Sequence, residues 1–336
     1  MDFLLAVFIF TFILFLYIHI MYQLKKSEDL EIYEMDYISN ENLQEVCDMK
    51  QPFLFEYRSI CPEFFQEIQP DLLLSRFSSY DLKIKESDDY KNGDGGNESI
   101  VPILLPLGSS HSLMKSDTHS KYITENNEDF IEETGMTESF EMNGEYMKPS
   151  MTAQTKYDVC FGSNESTTPL RYHTGYRHFI PVFSGKIAVK MTPFKSQKYL
   201  YPIYDYENLE IRSPVDCWTP LPKYKNEMEK VKFLEFSVPN GSVLYIPPYW
   251  WYSIKYEDSL ESLIGSITYN SVINIIVNIP NYVRYFIAQQ TMEKGSLKRL
   301  SLEGEERGEV YNREPTNENK SEIEIDANDI GLKPIV

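Results

Sequence analysis

Asn240-Gly-Ser-Val-Leu-Tyr-Ile-Pro-Pro-Tyr-Trp-Trp-Tyr-Ser-Ile254 joins a Gly turn, a short apolar strand, two prolines and two adjacent tryptophans. Proline has no amide hydrogen to give to a ladder, so Pro247 and Pro248 end the strand and make a rigid corner of a β structure. Around this corner, residues 156 to 280 read as strands throughout. Apolar and polar residues alternate in Lys186-Ile-Ala-Val-Lys-Met191 and in Lys232-Phe-Leu-Glu-Phe-Ser-Val238, the period of a strand with one buried face. Pro or Gly punctuates nearly every segment, which predicts a mainly β domain of sandwich, jelly-roll or barrel type. Asn281 to Met292, with Tyr282, Tyr285, Phe286 and Gln289 on related faces, reads as a closing helix.

Upstream, Leu30 to Tyr33 and Gln51 to Tyr57 read as strands and Asn40 to Met49 as a short amphipathic helix. Residues 83–121 read as a polar loop insertion around one apolar strand, Ile100 to Leu107. Thr124 is a candidate N-cap for an acidic helical run that ends near Glu133. Phe3 to Tyr22 is an almost unbroken apolar run, and about 20 residues at 1.5 Å rise cross a hydrocarbon core of roughly 30 Å. A cleaved signal peptide would need a basic start and a small-residue cleavage site, whereas Asp2 precedes this run and Lys25-Lys26 follows it. The expected organisation is a transmembrane anchor with its basic flank at 1–27, a folded domain at 28–292, and an acidic, disordered tail at 293–336. Lysines only after the span place the domain on the cytosolic side of a single-pass membrane protein.

The 336 residues are 42% hydrophobic, enough for a sizeable core, and carry a formal charge of -19 with no basic stripe. That balance excludes a nucleic-acid groove, which needs clustered cations to release counterions. Cys47, Cys61, Cys160 and Cys217 lack C-x-x-C spacing and read as buried small hydrophobes. Asn97, Asn164, Asn240 and Asn319 each begin an N-x-S sequon, relevant only to a chain in the secretory lumen.

Thr168-Pro-Leu-Arg-Tyr-His173, Gly185-Lys186, Leu200-Tyr-Pro202, Ser213-Pro-Val-Asp216 and the Trp-Trp corner occur in the order found in JmjC-type, cupin-like hydroxylases. From about Glu31 to Gln290 the chain resembles that family, in particular factor-inhibiting-HIF-type asparaginyl hydroxylases. It also looks like cupin-like proteins of large DNA viruses that carry an N-terminal hydrophobic segment. The resemblance implies a double-stranded β-helix with flanking helices. It also implies Fe(II) held by a His-x-Asp pair and a distal His, with a lysine binding the carboxylate of 2-oxoglutarate.

The residues depart from that pattern at every ligand position. Arg171 stands at the first ligand, His173 at the carboxylate and Tyr252 at the distal histidine, while Lys186 falls at the oxoglutarate lysine. None of the five histidines begins an H-x-D or H-x-E. An arginine has no lone pair to give a metal, so neither iron nor another cofactor is expected. Arg171 and His173, two apart on a strand, should share the barrel interior. A buried arginine needs a neighbouring carboxylate or a bound anion.

Two interior readings stay open: a satisfied polar network, or a pocket in which Arg171 and Lys186 bind a small anionic ligand with Thr168, His173 and Tyr252. Trp250 and Trp251 read as packing at the barrel mouth. The expected function is non-catalytic binding or scaffolding of a protein partner at a membrane. The enzyme alternative is an Fe(II)/2-oxoglutarate hydroxylase with atypical ligands. A further alternative is a metal-free sugar or nucleotide-sugar binder or isomerase.

Overall fold

The computed structural model describes residues 2–91, 100–257 and 262–291. An apolar helix, Asp2–Leu24, is followed by β1 (Tyr33–Met35), a helix at Asn40–Asp48 and β2 (Phe53–Glu56). The helices Pro62–Glu67 and Pro70–Phe77 both start on proline, whose fixed φ suits a first turn that needs no amide donor. Next come β3 (Asp81–Glu86), β4 (Ile103–Pro106), a helix at Leu107–Ser116 and β5 (Tyr122–Thr124). Short helices between Glu128 and Met147 lead to β6 (Thr152–Gly162). The remaining strands are β7 (Arg171–Tyr172), β8 (Arg177–Ser184), β9 (Lys186–Thr192), β10 (Ile203–Asp205), β11 (Glu210–Arg212), β12 (Leu234–Pro239), β13 (Ser242–Tyr245), β14 (Trp251–Tyr256) and β15 (Leu263–Ser271). The closing helix is Val272–Thr291.

Two sheets result. One has nine strands in the order β1-β2-β13-β8-β15-β6-β5-β3-β4, the other six in the order β10-β11-β7-β14-β9-β12. Ile180, Val182, Leu244 and Ile264 of the larger sheet pack on Ile187, Val189, Met191 and Ile254 of the smaller, forming the core of a sandwich. Each such side chain, fully buried, stabilises the fold by about 1.5–3 kcal/mol. The other face of the larger sheet takes Phe55, Phe179 and Phe183 against Leu43, Phe64 and Phe140 from the helices. β8 is therefore buried on both faces, with His178, Ile180 and Val182 turned toward the smaller sheet.

The corner between β13 and β14 turns at Tyr249, whose φ of 68 lies in the left-handed region. Its amide donates to the His173 carbonyl at 2.9 Å, and the Trp250 amide to the Pro247 carbonyl at 3.3 Å. Trp250 enters the core between the sheets, while Trp251 packs edge-on against Tyr172 at 4.9 Å in a cluster with Leu170 and Val215. Both are packing residues, and neither offers a face for stacking.

The sequence expectations need four corrections here. The molecule is mixed α and β rather than mainly β, because the first 150 residues contribute more helix than their loop-like composition suggests. Within residues 83–121, the β3–β4 hairpin and the helix Leu107–Ser116 stand where loops are expected. Thr124 ends β5, paired with Ile84 and Phe161, and Asn127 occupies the N-cap position of the helix Glu128–Glu133. The closing helix starts at Val272, upstream of Asn281. The four cysteines are buried free thiols, as expected. The tail at 293–336 and the sequons at Asn97 and Asn319 lie outside the described residues.

Phe3–Leu24 is long and apolar enough to cross a membrane, and none of its most apolar 18-residue stretch is buried in the protein. Its C-terminal end is tied down firmly. Lys50, 2% exposed, donates from Nζ to the carbonyls of Tyr22 at 2.5 Å, Gln23 at 3.1 Å and Lys25 at 3.0 Å. A cation at the orphan carbonyls of a helix C-terminus is favourable on both hydrogen-bond and dipole grounds. The Lys26 ammonium sits 3.2 Å from the centre of the Phe194 ring, a second attachment.

Candidate functional site

β7, the residue that follows it and β14 bring Arg171, His173 and Tyr252 together. Arg171 stands directly across from Tyr252 in the antiparallel register, and its guanidinium lies 5.9 Å from the phenol ring centre. The His173 ring is 6.3 Å from the same phenol. Thr168 holds this pairing in place. Its amide donates to the Ile254 carbonyl at 2.8 Å, and its hydroxyl accepts from the Ile254 amide at 2.9 Å.

These residues line a cavity of about 260 Å³ together with Glu125, Glu210, His178 and Thr268, closed on one side by Asn278, Asn281 and Tyr282 of the closing helix. Lys186 does not belong to it. Strand alternation along β9 turns Ile187, Val189 and Met191 inward and leaves the Lys186 side chain on the outer face, 52% exposed, with its ammonium 3.2 Å from Glu257. A lysine at the expected count from Thr168 is thus on the wrong face to meet a ligand beside Arg171.

Arg171 is the hub of the interior. It binds Glu125 through both terminal nitrogens, at 2.9 and 2.5 Å, and Glu210 at 2.9 Å. Glu125 also accepts from Lys85 at 3.2 Å and from the Tyr90 hydroxyl at 3.1 Å. Burial alone would raise the Glu125 pKa, but Arg171 and Lys85 hold its carboxyl well below the usual carboxylate range. Burial equally disfavours the charge on Arg171, and Glu125, Tyr252 and Glu210 more than restore it. Two cations and two carboxylates therefore neutralise each other beside the cavity. Both cations expected to serve an anion are engaged, Arg171 by carboxylates and Lys186 by Glu257.

The histidines are neutral. His173 is pushed down to about 4 chiefly by burial, and His178 lies well below its ordinary range through burial and the neighbouring His173 and Arg171 charges. Their ring centres are 4.5 Å apart. The His173 Nε2 lies 3.0 Å from the Ile246 carbonyl, which can only accept, so this nitrogen carries the proton. His178 Nδ1 meets the Thr268 hydroxyl at 2.7 Å. Burial raises the Tyr252 pKa, keeping it a neutral phenol.

These side chains do not fit Fe(II). Arg171 has no lone pair and Tyr252 is a neutral phenol, which leaves imidazole nitrogens of His173 and His178 as the donors there, while the nearby carboxylates Glu125 and Glu210 are held by Arg171. Among the described residues no group of three His, Cys, Asp or Glu side chains is arranged to hold a metal ion.

Glu125, Glu210 and Lys85 escape the sequence reading. An interior arginine demands a carboxylate, but nothing in the linear order selects Glu125 among 51 acidic residues. Arg177 and His178, indistinguishable from surface residues in the sequence, are both buried. Arg177 does not face the cavity. It ties β8 to the helix Asn40–Asp48, donating to Gln44 Oε1 at 3.0 Å and to Asp48, with its guanidinium 3.9 Å from the Tyr176 ring centre.

No family model matches the chain. Jumonji C domain-containing protein 5 of Drosophila melanogaster is 27% identical over 241 residues, a match covering 63% of this chain and 57% of that protein. The chain thus spans little more than half the length of the relative. With two facing sheets, this likeness supports a distant relationship to JmjC-domain proteins.

Proposed function

We propose that the chain is a degenerate JmjC/cupin-like protein whose two sheets form a double-stranded β-helix. It is attached to a membrane through residues 3–22, with the domain in the cytosol. The barrel binds or scaffolds a protein partner without iron-dependent turnover. The observation that carries this reading is the Arg171 hub. The side chain at the first ligand position is a permanent cation locked by Glu125 and Glu210, so a divalent ion there would meet repulsion and no donor. The same hub favours a polar network over an anion pocket, since Arg171, Lys85, Glu125 and Glu210 pair their charges with one another, while Arg171 Nε, His173 Nδ1 and His178 Nε2 are buried without a hydrogen-bond partner among the described residues.

Metal analysis and 2-oxoglutarate consumption, measured on the full chain purified in detergent after incubation with Fe(II), test the proposal. The expected result is substoichiometric iron and no consumption above a blank. One iron per chain with oxoglutarate turnover overturns it.

A further inference from the structure

The closing helix is amphipathic the wrong way round for a helix surrounded by water. Two of its asparagines face the protein: Asn274 and Asn278 are buried and donate to the Thr174 carbonyl at 2.9 and 3.3 Å, and near the C-terminal end the exposed Gln289 reaches the Glu207 carbonyl at 2.8 Å beside an exposed Gln290. Its apolar residues face outward. Val272, Ile276, Ile279, Val283, Phe286 and Ile287 are 40–63% exposed, and at about 100° per residue they fall on one stripe. Arg284 is the one charged residue of the helix, and its guanidinium donates to the Tyr206 hydroxyl at 2.6 Å. Water-facing helix surfaces carry charges, so a single-sided stripe of this size calls for an apolar neighbour.

We propose that this neighbour is lipid: the closing helix lies in the membrane interface beside the N-terminal helix, with its stripe among the acyl chains. The N-terminal helix packs against the closing helix and is itself exposed and apolar on its other sides, so the two form one continuous apolar surface. Basic side chains gather where the N-terminal helix leaves that surface. Lys26 caps Phe194, and Lys195 donates to the Glu28 carbonyl at 2.8 Å, a position suited to lipid headgroups. In-plane helices with one apolar face bind bilayers in this manner. Because Asn278, Asn281 and Tyr282 of the same helix close the cavity, the cavity mouth then lies at the bilayer surface.

The proposal rests on reading Phe3–Leu24 as a membrane span, and its test separates the two. Single cysteines replace Phe286, Phe10 or Glu67 in the full chain, all exposed positions, while the four native thiols are buried from the reagent. Each variant is labelled with an environment-sensitive fluorophore and reconstituted into phosphatidylcholine–phosphatidylserine vesicles carrying nitroxide lipids. The expected result is loss of most emission at positions 286 and 10 and none at 67. Quenching at 10 but not at 286 overturns the proposal and spares the anchor. Disulfide-linked dimers through position 286 in place of quenching also overturn it, assigning the stripe to a second copy. No quenching at either 10 or 286 overturns both.

Discussion

Arg171 shows how one buried cation organises an interior. Replacing it with methionine leaves Glu125 buried with Lys85 and the Tyr90 hydroxyl as its remaining partners and removes the partner of Glu210. Breaking a buried charge network of this kind costs roughly 2–4 kcal/mol, and Arg171→Met is expected to lower stability by that much in urea denaturation. Glu125→Ala in the same background should add less than its cost alone, since the two residues share one network. The histidines make a separate claim. His173 and His178 titrate below the ordinary 6.5 in the folded protein, so the unfolded chain takes up protons that the folded one refuses as pH drops. Their neutral forms leave stability undiminished above pH 6.5, and it falls as pH moves from there toward about 4, by up to ~1.4 kcal/mol per pH unit for each imidazole. Urea midpoints measured across that window should fall with pH, and His178→Gln should flatten the slope.

Among the elements, the corner at Asn240–Ile254 was legible because prolines, glycine and paired tryptophans leave the backbone few options. Gly241 takes a φ of 92 at the turn into β13, and β14, beyond the prolines, sets Tyr252 opposite Arg171, where the motif order places it. Other elements hid for physical reasons. Val272 to Ile279 is rich in β-branched valine and isoleucine, which favour strands, yet it forms the first turns of the closing helix. Gly108-Ser-Ser-His-Ser112 reads as a loop, and the helix it forms is held by Leu107 and Met114 in the core. β8 concealed His178 because a strand buried on both faces loses its alternation. The clamp at the end of the N-terminal helix is an element-scale feature that substitution can release. In Lys50→Met the three carbonyls lose their shared donor, and trypsin should cut after Lys25 and Lys26 faster than in the parent chain, with the fragment that holds the two sheets left intact.

For the whole molecule, the sequence carried the likeness and the gathering of Arg171, His173 and Tyr252, but not the charges that answer Arg171. Motif order survives in a linear string, whereas the partner of a buried charge is chosen by packing between distant segments. The proposed cytosolic placement has its own check. Asn164 and Asn240 are both exposed in turns, open to a glycosyltransferase if the domain entered the secretory lumen. Full chain expressed in a eukaryotic cell should show no mobility change on glycosidase treatment, and a change would put the domain on the other side.

Lys50 has a geometric consequence for any partner. Because the last turn of the N-terminal helix ends on a buried side chain of the folded domain, and Lys26 and Lys195 fasten the next residues, no slack tether separates the two. Whatever fixes the tilt of that helix fixes the azimuth of the folded domain as well. A binding partner confined to the same plane would then meet one preset face, so the search for alignment shrinks from a sphere of orientations to rotation about a single post.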